Sequence, residues 1–164
     1  MTELRFSALI VVCICLLSSC AGVAKISDFP KTAEPFDFDK LAQVAYDPQD
    51  GIWNKRAEYE YFIEVTKVEE DELYNSIIGS LLKSGYEISY SDKQNKAIIG
   101  ERGLRLNEWN SITGVYYKQR DGEYQVFIKN AITQDITGGW RENRAKEVAI
   151  ALCTKLSKCK SIPK

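Results

Sequence analysis

The chain has 164 residues, of which 45% are hydrophobic and 27% are charged, and its formal net charge is −1 with no histidine. This composition is that of a globular protein, which excludes a disordered or wholly membrane-spanning chain. The nearly neutral charge argues against a nucleic-acid partner. The absence of histidine excludes Ser-His-Asp and Cys-His catalysis.

The first 20 residues have the pattern of a bacterial export signal. Arg5 precedes an uncharged apolar run at residues 8–17, which is too short to cross a membrane as a finished helix because that requires about 20 residues. The run ends in Leu17-Ser-Ser-Cys20, which resembles the lipobox of bacterial lipoproteins. An ordinary secretory signal cut nearby, or an uncleaved anchor, is the alternative.

The lipobox resemblance implies that residues 1–19 are removed and that a diacylglyceryl group, with acyl chains such as palmitate, is attached to the Cys20 sulfur. Ala21 follows the cysteine, and in diderm lipoproteins similar to this chain a residue other than Asp at that position favours the outer membrane. We therefore expect a lipid-anchored protein in the cell envelope, on the outer membrane and facing the periplasm.

Two cysteines remain in the processed chain besides Cys20. Cys13 and Cys15 leave with the signal, and Cys153 and Cys159 are left near the C-terminus. A pair of thiols in an exported protein predicts a disulfide, which here would fix the end of the chain. We expect no metal, because the chain has neither histidine nor a third thiol to complete a site.

Residues 20–56 are predicted to form a lipidated N-terminal arm, and residues 57–164 the folded domain. If the arm is flexible, its average reach is roughly 30–35 Å. Asp37 is suited to cap one short helix, whose apolar side would contain Phe38, Leu41, Ala42 and Ala45. Three phenylalanines are unusual in a spacer, so part of the arm is expected to pack on the domain or on a partner. They are Phe29, Phe36 and Phe38.

The domain begins with a strand and a helix. Apolar and polar residues alternate from Tyr59 to Val65, which predicts a half-buried strand. Acidic residues 69–72 then lead into apolar pairs that recur every four residues until Gly85, which predicts a helix with favourable charges at its start and a glycine at its stop.

Four strands and a second helix follow. The strands are predicted at residues 86–91, 97–105, 109–118 and 124–132, and the helix at residues 141–157. Gly100 and Gly103 suggest a bulge or bend in the second of these strands, and Asp121-Gly122 predicts a tight hairpin between the last two. The helix has an apolar face made of Ala145, Val148, Ala149, Leu152 and Leu156.

The order β-α-β-β-β-β-α predicts an α+β fold, with a largely antiparallel sheet of about five strands and two helices on one face. In layout alone it resembles the small α+β accessory lipoproteins of outer-membrane assembly or secretion machines. The charge is uneven: residues 25–80 are acidic and residues 141–164 are basic. The two regions are expected to complement each other, or the basic helix to face anionic lipid or an acidic partner.

The sequence contains no catalytic motif, and we expect neither catalytic residues nor a cofactor. Carboxylate pairs at Glu69/Asp71 and Glu108/Glu123 are better explained as a solvated helix start and turn-flanking charges than as acid–base catalysts. A weak anion site precedes the second helix, because glycines there expose backbone N–H groups beside arginines. Its residues are Gly138, Gly139, Arg141 and Arg144. The alternative is a plain turn into the helix.

Aromatic residues are the remaining candidate for function. Tyr116 and Tyr117 are neighbours in a strand and must point to opposite faces of the sheet, so one of them lies away from the helices. With Phe62 and Phe127, that tyrosine would form an exposed aromatic patch for protein or glycan contact. The candidate residues for this surface are Tyr116, Tyr117, Phe62, Phe127 and Trp109. A second packing layer supplied by the N-terminal arm is the alternative.

The sequence therefore predicts a membrane-anchored periplasmic lipoprotein that is not an enzyme and that binds an envelope protein as an accessory subunit of a cell-envelope complex. One alternative is an inhibitor or immunity-type lipoprotein that blocks a cell-wall hydrolase or toxin. A third possibility is a carboxylate-based enzyme acting on peptidoglycan.

Overall fold

A five-stranded antiparallel sheet lies between two long helices on one face and the N-terminal arm on the other. The computed structural model describes residues 24–46, 59–103, 111–132 and 143–160. Within them the predicted α+β class, the order of the elements and the antiparallel sheet of five strands are confirmed. The export signal, Cys20 and Trp109 lie outside the described residues.

The elements begin and end within a few residues of the predicted positions. After a 3-10 turn at Ile26–Asp28 they are α1 Phe38–Leu41, β1 Glu60–Val65, α2 Glu70–Lys83, β2 Glu87–Asp92, β3 Ala97–Arg102, β4 Ser111–Arg120, β5 Glu123–Ile132 and α3 Arg144–Leu156. The strand order in the sheet is β1-β5-β4-β3-β2. The first strand therefore lies beside the last, and α2 connects the two edges of the sheet.

The turns follow the predicted chemistry with one difference. Asp121 and Gly122 both have positive φ, at 50° and 79°, as a two-residue hairpin turn requires. The register shift lies in β2, between Ile88 and Tyr90, and Ile88 pairs with Gly100. Gly100 itself is in regular β3, where a Cβ would lie 3.0 Å from the Tyr86 Cβ. The absence of a side chain at Gly100 permits the close approach of Tyr86. The bulge is in the opposing strand, β2.

The main core lies between the sheet and the two long helices. α2 buries Leu73, Ile77 and Leu81, and α3 buries all five residues of its predicted apolar face. They pack against alternate residues of β1, β4 and β5, including Ile63, Val115, Val126 and Ile128. Asn143 caps α3 by accepting a hydrogen bond from the Lys146 N–H at 2.9 Å.

The arm forms a third layer on the opposite face of the sheet. Phe29 is 3% exposed and packs with Ile99 and Ile112. Phe36 stacks on Tyr116 and Phe127, with ring centroids 4.3 and 5.1 Å apart. The expectation that part of the arm packs on the domain is therefore confirmed, because the aromatic side chains of residues 24–46 belong to the folded core, and the reach of a flexible arm does not apply to these residues.

The arm reaches the edge strand β1 through its short helix. Asp37 caps α1 as predicted, accepting a hydrogen bond from the Lys40 N–H at 3.2 Å. Phe38, at 3% exposure, packs on Phe62 with ring centroids 6.5 Å apart. The helix is only four residues long, and Ala42 and Ala45, expected on its apolar side, are exposed.

Polar contacts and a glycine fix the position of the arm. The Ala33 N–H donates to the Asn95 carbonyl at 2.9 Å, and the Tyr90 hydroxyl donates to the Lys31 carbonyl at 3.1 Å. A Cβ on Gly114 would lie 2.9 Å from the Phe29 ring and 2.8 Å from the Tyr116 ring. Only glycine leaves room for both rings at this point of β4.

The C-terminal tail closes part of the β1 edge. α3 ends at Ser157, which has a left-handed φ of 54°, and the predicted disulfide joins Cys153 to Cys159 with the Cα atoms 5.5 Å apart. The tail then forms a bridge to Val65, in which the Thr66 N–H donates to the Lys158 carbonyl at 3.0 Å. The disulfide thus holds the tail in a single β-bridge against the edge of the sheet.

We predict that Phe29→Ala lowers the free energy of unfolding by about 3 kcal/mol, because it leaves a cavity over Ile99 and Ile112. The measurement is chemical denaturation followed by far-UV circular dichroism. Glu34→Ala, at an exposed position of the same arm, serves as the control and should change the free energy by less than about 0.5 kcal/mol. Equal stability of the two variants would mean that the arm is not part of the folded unit.

Candidate functional site

A groove of about 390 Å³ opens where the arm crosses the sheet. Three segments that are distant in sequence form it: the arm, the β2–β3 turn and the end of β4. Its lining residues are Thr32, Ala33, Glu34, Phe36, Phe38, Gln94, Asn95, Lys96, Tyr117, Lys118 and Gln119. The volume is within the range of ligand-binding pockets. We call it the arm groove.

The turn that forms one wall is held by its own hydrogen bonds. Asp92 accepts from the Asn95 backbone N–H at 3.0 Å and from the Asn95 side-chain amide at 2.7 Å. The backbone hydrogen bond from Asn95 is the main reason that the pKa of Asp92 is lowered. Since the Ala33 N–H also donates to the Asn95 carbonyl, the turn and the arm are joined directly at the groove.

A polar contact behind this wall ties it to α2. Lys96 forms an ion pair with Glu70, and the Tyr117 hydroxyl donates to the same carboxylate at 3.1 Å. The hydrogen bond from Lys96 is the largest cause that lowers the pKa of Glu70. Burial, followed by the nearby Glu70 charge, raises the pKa of Tyr117. Tyr117 is therefore a protonated hydrogen-bond donor and not a base.

The arrangement is suited to binding. Half-buried Phe36 provides aromatic surface, and exposed Gln94, Asn95 and Gln119 provide amide groups that can both donate and accept hydrogen bonds. Exposed Lys118 and Glu34 add one charge of each sign at the rim. An aromatic surface with amide groups at its edge fits a peptide main chain and its side chains.

The described ranges contain neither a metal-binding cluster nor a membrane-spanning helix. No group of three or more His, Cys, Asp or Glu among residues 24–46, 59–103, 111–132 and 143–160 could hold a metal ion. None of the helices in these ranges has the length and apolarity needed to span a membrane.

The predicted exposed aromatic patch is wrong for three of its five residues. Tyr116, Tyr117 and Phe127 are at most 1% exposed. The arm covers Tyr116 and Phe127 with Phe36, as the alternative interpretation required, and Tyr117 points toward α2. Phe62 is half-buried beneath Phe38 and Tyr46, and Trp109 lies outside the described residues.

The other candidate residues are not brought together. Gly138, Gly139 and Arg141 lie outside the described residues, and Arg144 donates to Glu147 of its own helix at 2.7 Å. Asp71 accepts from Lys93 at 2.6 Å at the exposed start of α2, beside Glu69. Glu123 forms an ion pair with Lys160. Glu108 and Cys20 are outside the described residues.

Sequence reasoning missed the polar residues of the arm groove. In the sequence, residues 92–96 merely separate two predicted strands, and Lys118 and Gln119 lie where the predicted strand 109–118 leads into the Asp121-Gly122 hairpin. No motif marks them, because the groove depends on the arm lying across the sheet. The one available signal was the presence of three phenylalanines in a segment otherwise suited to a spacer.

Comparison with known proteins adds little. No family model and no curated protein matches the chain. Among solved structures, a DUF4468 family protein from Bacteroides ovatus is similar over 57% of this chain and 84% of its own, with 12% sequence identity and a TM-score of 0.33. A TM-score this low supports no conclusion about fold or function.

We predict that Glu70→Gln destabilises the protein at about pH 7 and that the difference from the wild type shrinks at about pH 3. The folded-state pKa of Glu70 is below its ordinary value of 4.5. Its ionised form therefore adds stability above that value, and the contribution is lost as the pH falls through the folded-state pKa.

The measurement is the urea midpoint at the two pH values. Glu34→Gln, an exposed carboxylate on the arm, is the matched control and should have the wild-type midpoint at both. A pH-independent deficit for Glu70→Gln would show that its charge does not stabilise the turn.

Proposed function

We propose that this protein is a lipid-anchored component of the cell envelope that binds another envelope protein and is not an enzyme. The lipobox at Cys20 supports the anchor and the periplasmic face of the outer membrane as its location. The Cys153–Cys159 disulfide supports an oxidising compartment, because such bonds do not persist in the cytosol.

The observation that carries the binding role is the arm groove. It has the volume of a binding pocket, aromatic and amide walls, and walls fixed by hydrogen bonds to the arm, to Asp92 and to Glu70. A preformed groove binds at a lower entropic cost than a flexible one. We assign to it an extended segment of the partner protein.

The edges of the sheet are less suited to this contact. The tail occupies the end of β1 at Val65. β2 is six residues long, is irregular between Ile88 and Tyr90, and has exposed Glu87 at its start. Short, bulged and charged edge strands are those that resist pairing with another chain. The face opposite the helices is covered by the arm.

The start of the arm limits the distance to the membrane. Ala24 is half-buried and packs beside Phe29, and it follows the proposed lipid attachment at Cys20 by four residues. A fully extended chain of that length spans about 14 Å. The anchored domain would therefore lie close to the lipid surface, and a partner would have to approach the membrane to reach the groove.

We predict that the wild-type protein partitions into the detergent phase on extraction from cells with a phase-separating detergent, whereas Cys20→Ser partitions into the aqueous phase. The physical reason is loss of the acyl chains, since lipidation contributes about 0.8 kcal/mol per buried methylene. Recovery of both proteins in the aqueous phase would reject the anchor while leaving the groove untested by this experiment.

The groove is tested by a photo-crosslinking amino acid placed at Gln119 in intact cells. We expect a discrete crosslinked product with a resident envelope protein, identified by mass spectrometry. The same amino acid at Thr154, on the exposed face of α3, should give none. The product should disappear when Lys118→Glu is added, because the charge at the rim is reversed.

Equal products from Gln119 and Thr154 would contradict a binding role for the groove. Capture of a secreted hydrolase or toxin in place of a resident protein would favour the inhibitor interpretation.

A further inference from the structure

A second, charged cleft of about 250 Å³ lies where the β4–β5 hairpin meets the C-terminal tail. Its lining residues are Glu64, Arg120, Asp121, Glu123, Gln125 and Lys160. Three of these are carboxylates, and they come from two strands and the turn between β4 and β5. The sequence gives no motif for this site, because Glu64 and the hairpin are brought together only by the pairing of β1 with β5.

A buried acceptor in the wall of the cleft has no donor. Gln125 is 5% exposed, and its Oε1 atom makes no hydrogen bond. A buried amide oxygen without a partner costs free energy, so such groups are rare in folded proteins. Here the atom belongs to a side chain that lines an open, negatively charged cleft, which points to a ligand that carries N–H donors.

The tail already places one ammonium group in this cleft. Lys160 forms an ion pair with Glu123, and its Nζ lies 3.7 Å from the Glu64 carboxylate. The hydrogen bond to Glu123 raises the pKa of Lys160, so this lysine stays charged. The Lys160 N–H also donates to the Glu64 carbonyl at 3.0 Å.

The backbone of the tail is fixed, whereas the Lys160 side chain is not enclosed. The disulfide and the pairing of the tail with β1 hold Lys160 at the rim. Its side chain is 49% exposed, and those of Glu64 and Glu123 are 37% and 33% exposed. Ion pairs of this exposure are weak, so another cation can replace the lysine without unfolding the tail.

Charge decides what would replace it. Without Lys160, the cleft would contain three carboxylates and one cation, Arg120. That arginine already pairs with Asp39 and lies 3.6 Å from Asp121. The empty cleft would therefore attract a positive group with several N–H donors. Lys and Arg side chains are the groups in proteins that meet both conditions.

We propose that the cleft formed by Glu64, Asp121, Glu123 and Gln125 binds a basic side chain of a partner protein, and that Lys160 occupies it when no partner is bound. The site differs from the arm groove and does not depend on the lipid anchor. Lys160 then competes with the partner's lysine or arginine for the same carboxylates.

The test is a titration of the full chain, purified in detergent, with a short lysine-containing peptide that is acetylated and amidated at its ends. Binding is followed by NMR shifts of the Gln125 side-chain amide. Lys160→Ala should bind the peptide about two- to fivefold more tightly than the wild type, as expected for removal of an exposed ion pair. The gain should fall at high salt, which screens exposed charges.

Three controls separate this cleft from general charge effects. Lys158→Ala removes a neighbouring tail lysine that pairs with Glu72 at 3.2 Å and does not line the cleft, so it should bind as the wild type does. Adding Glu123→Gln to Lys160→Ala should abolish the gain. A peptide with acetylated lysine side chains should not shift the Gln125 signal.

The proposal is overturned if Lys160→Ala binds no better than Lys158→Ala, or if Glu123→Gln leaves its affinity unchanged. Either result would mean that the cleft serves only to hold the Lys160 side chain of the tail. The arm groove and the anchor would be unaffected, because neither is probed by this titration.

Discussion

The packing of the arm phenylalanines on the sheet is the contact on which the rest of the structure depends. β4 is buried at every position from Ser111 to Tyr117, and a strand buried on both faces requires a layer on each side. The long helices cover one face. Phe29, Phe36 and Phe38 cover the other, and without them Tyr116, Phe127, Ile99 and Ile112 would face water.

This contact also explains where the arm groove lies. The arm is a single chain segment without a regular strand, so it covers the sheet less completely than a helix layer does. A gap is left beside it, between Phe36 and the β2–β3 turn, and that gap is the arm groove. The groove is rigid because the turn is tied to the arm through Asn95 and to α2 through Lys96.

Elements with a strong local period were predictable from the sequence. The alternation in β1 and the four-residue spacing in α2 reflect which side chains face the core. The Asp121-Gly122 turn was predictable because this dipeptide readily adopts the two positive φ angles of a tight hairpin. The position of the arm was not predictable in this way. Its phenylalanines have no regular spacing, and their partners lie in strands far along the chain.

The candidate sites were harder to predict for the same reason. The exposed patch was inferred from the alternation of Tyr116 and Tyr117 across the sheet, which is correct, but alternation does not show what covers the second face. The disulfide could be inferred from two cysteines near the C-terminus. The position of Lys160 among the carboxylates of β1 and the hairpin could not be inferred, because it depends on the strand order.

The two chain ends have comparable roles in this fold. Each is held by a few specific contacts against a part of the sheet that the helices do not cover. The arm lies on one face and is held by aromatic packing, and the tail lies at the β1 edge and is held by a disulfide and backbone pairing. A segment held at few points leaves polar side chains beside it that its own groups do not fully satisfy. Gln125, which lines the charged cleft beside the tail, is in this position. Both proposed binding surfaces therefore lie at the borders of the added segments, where the backbone is held in place and exposed side chains remain beside it.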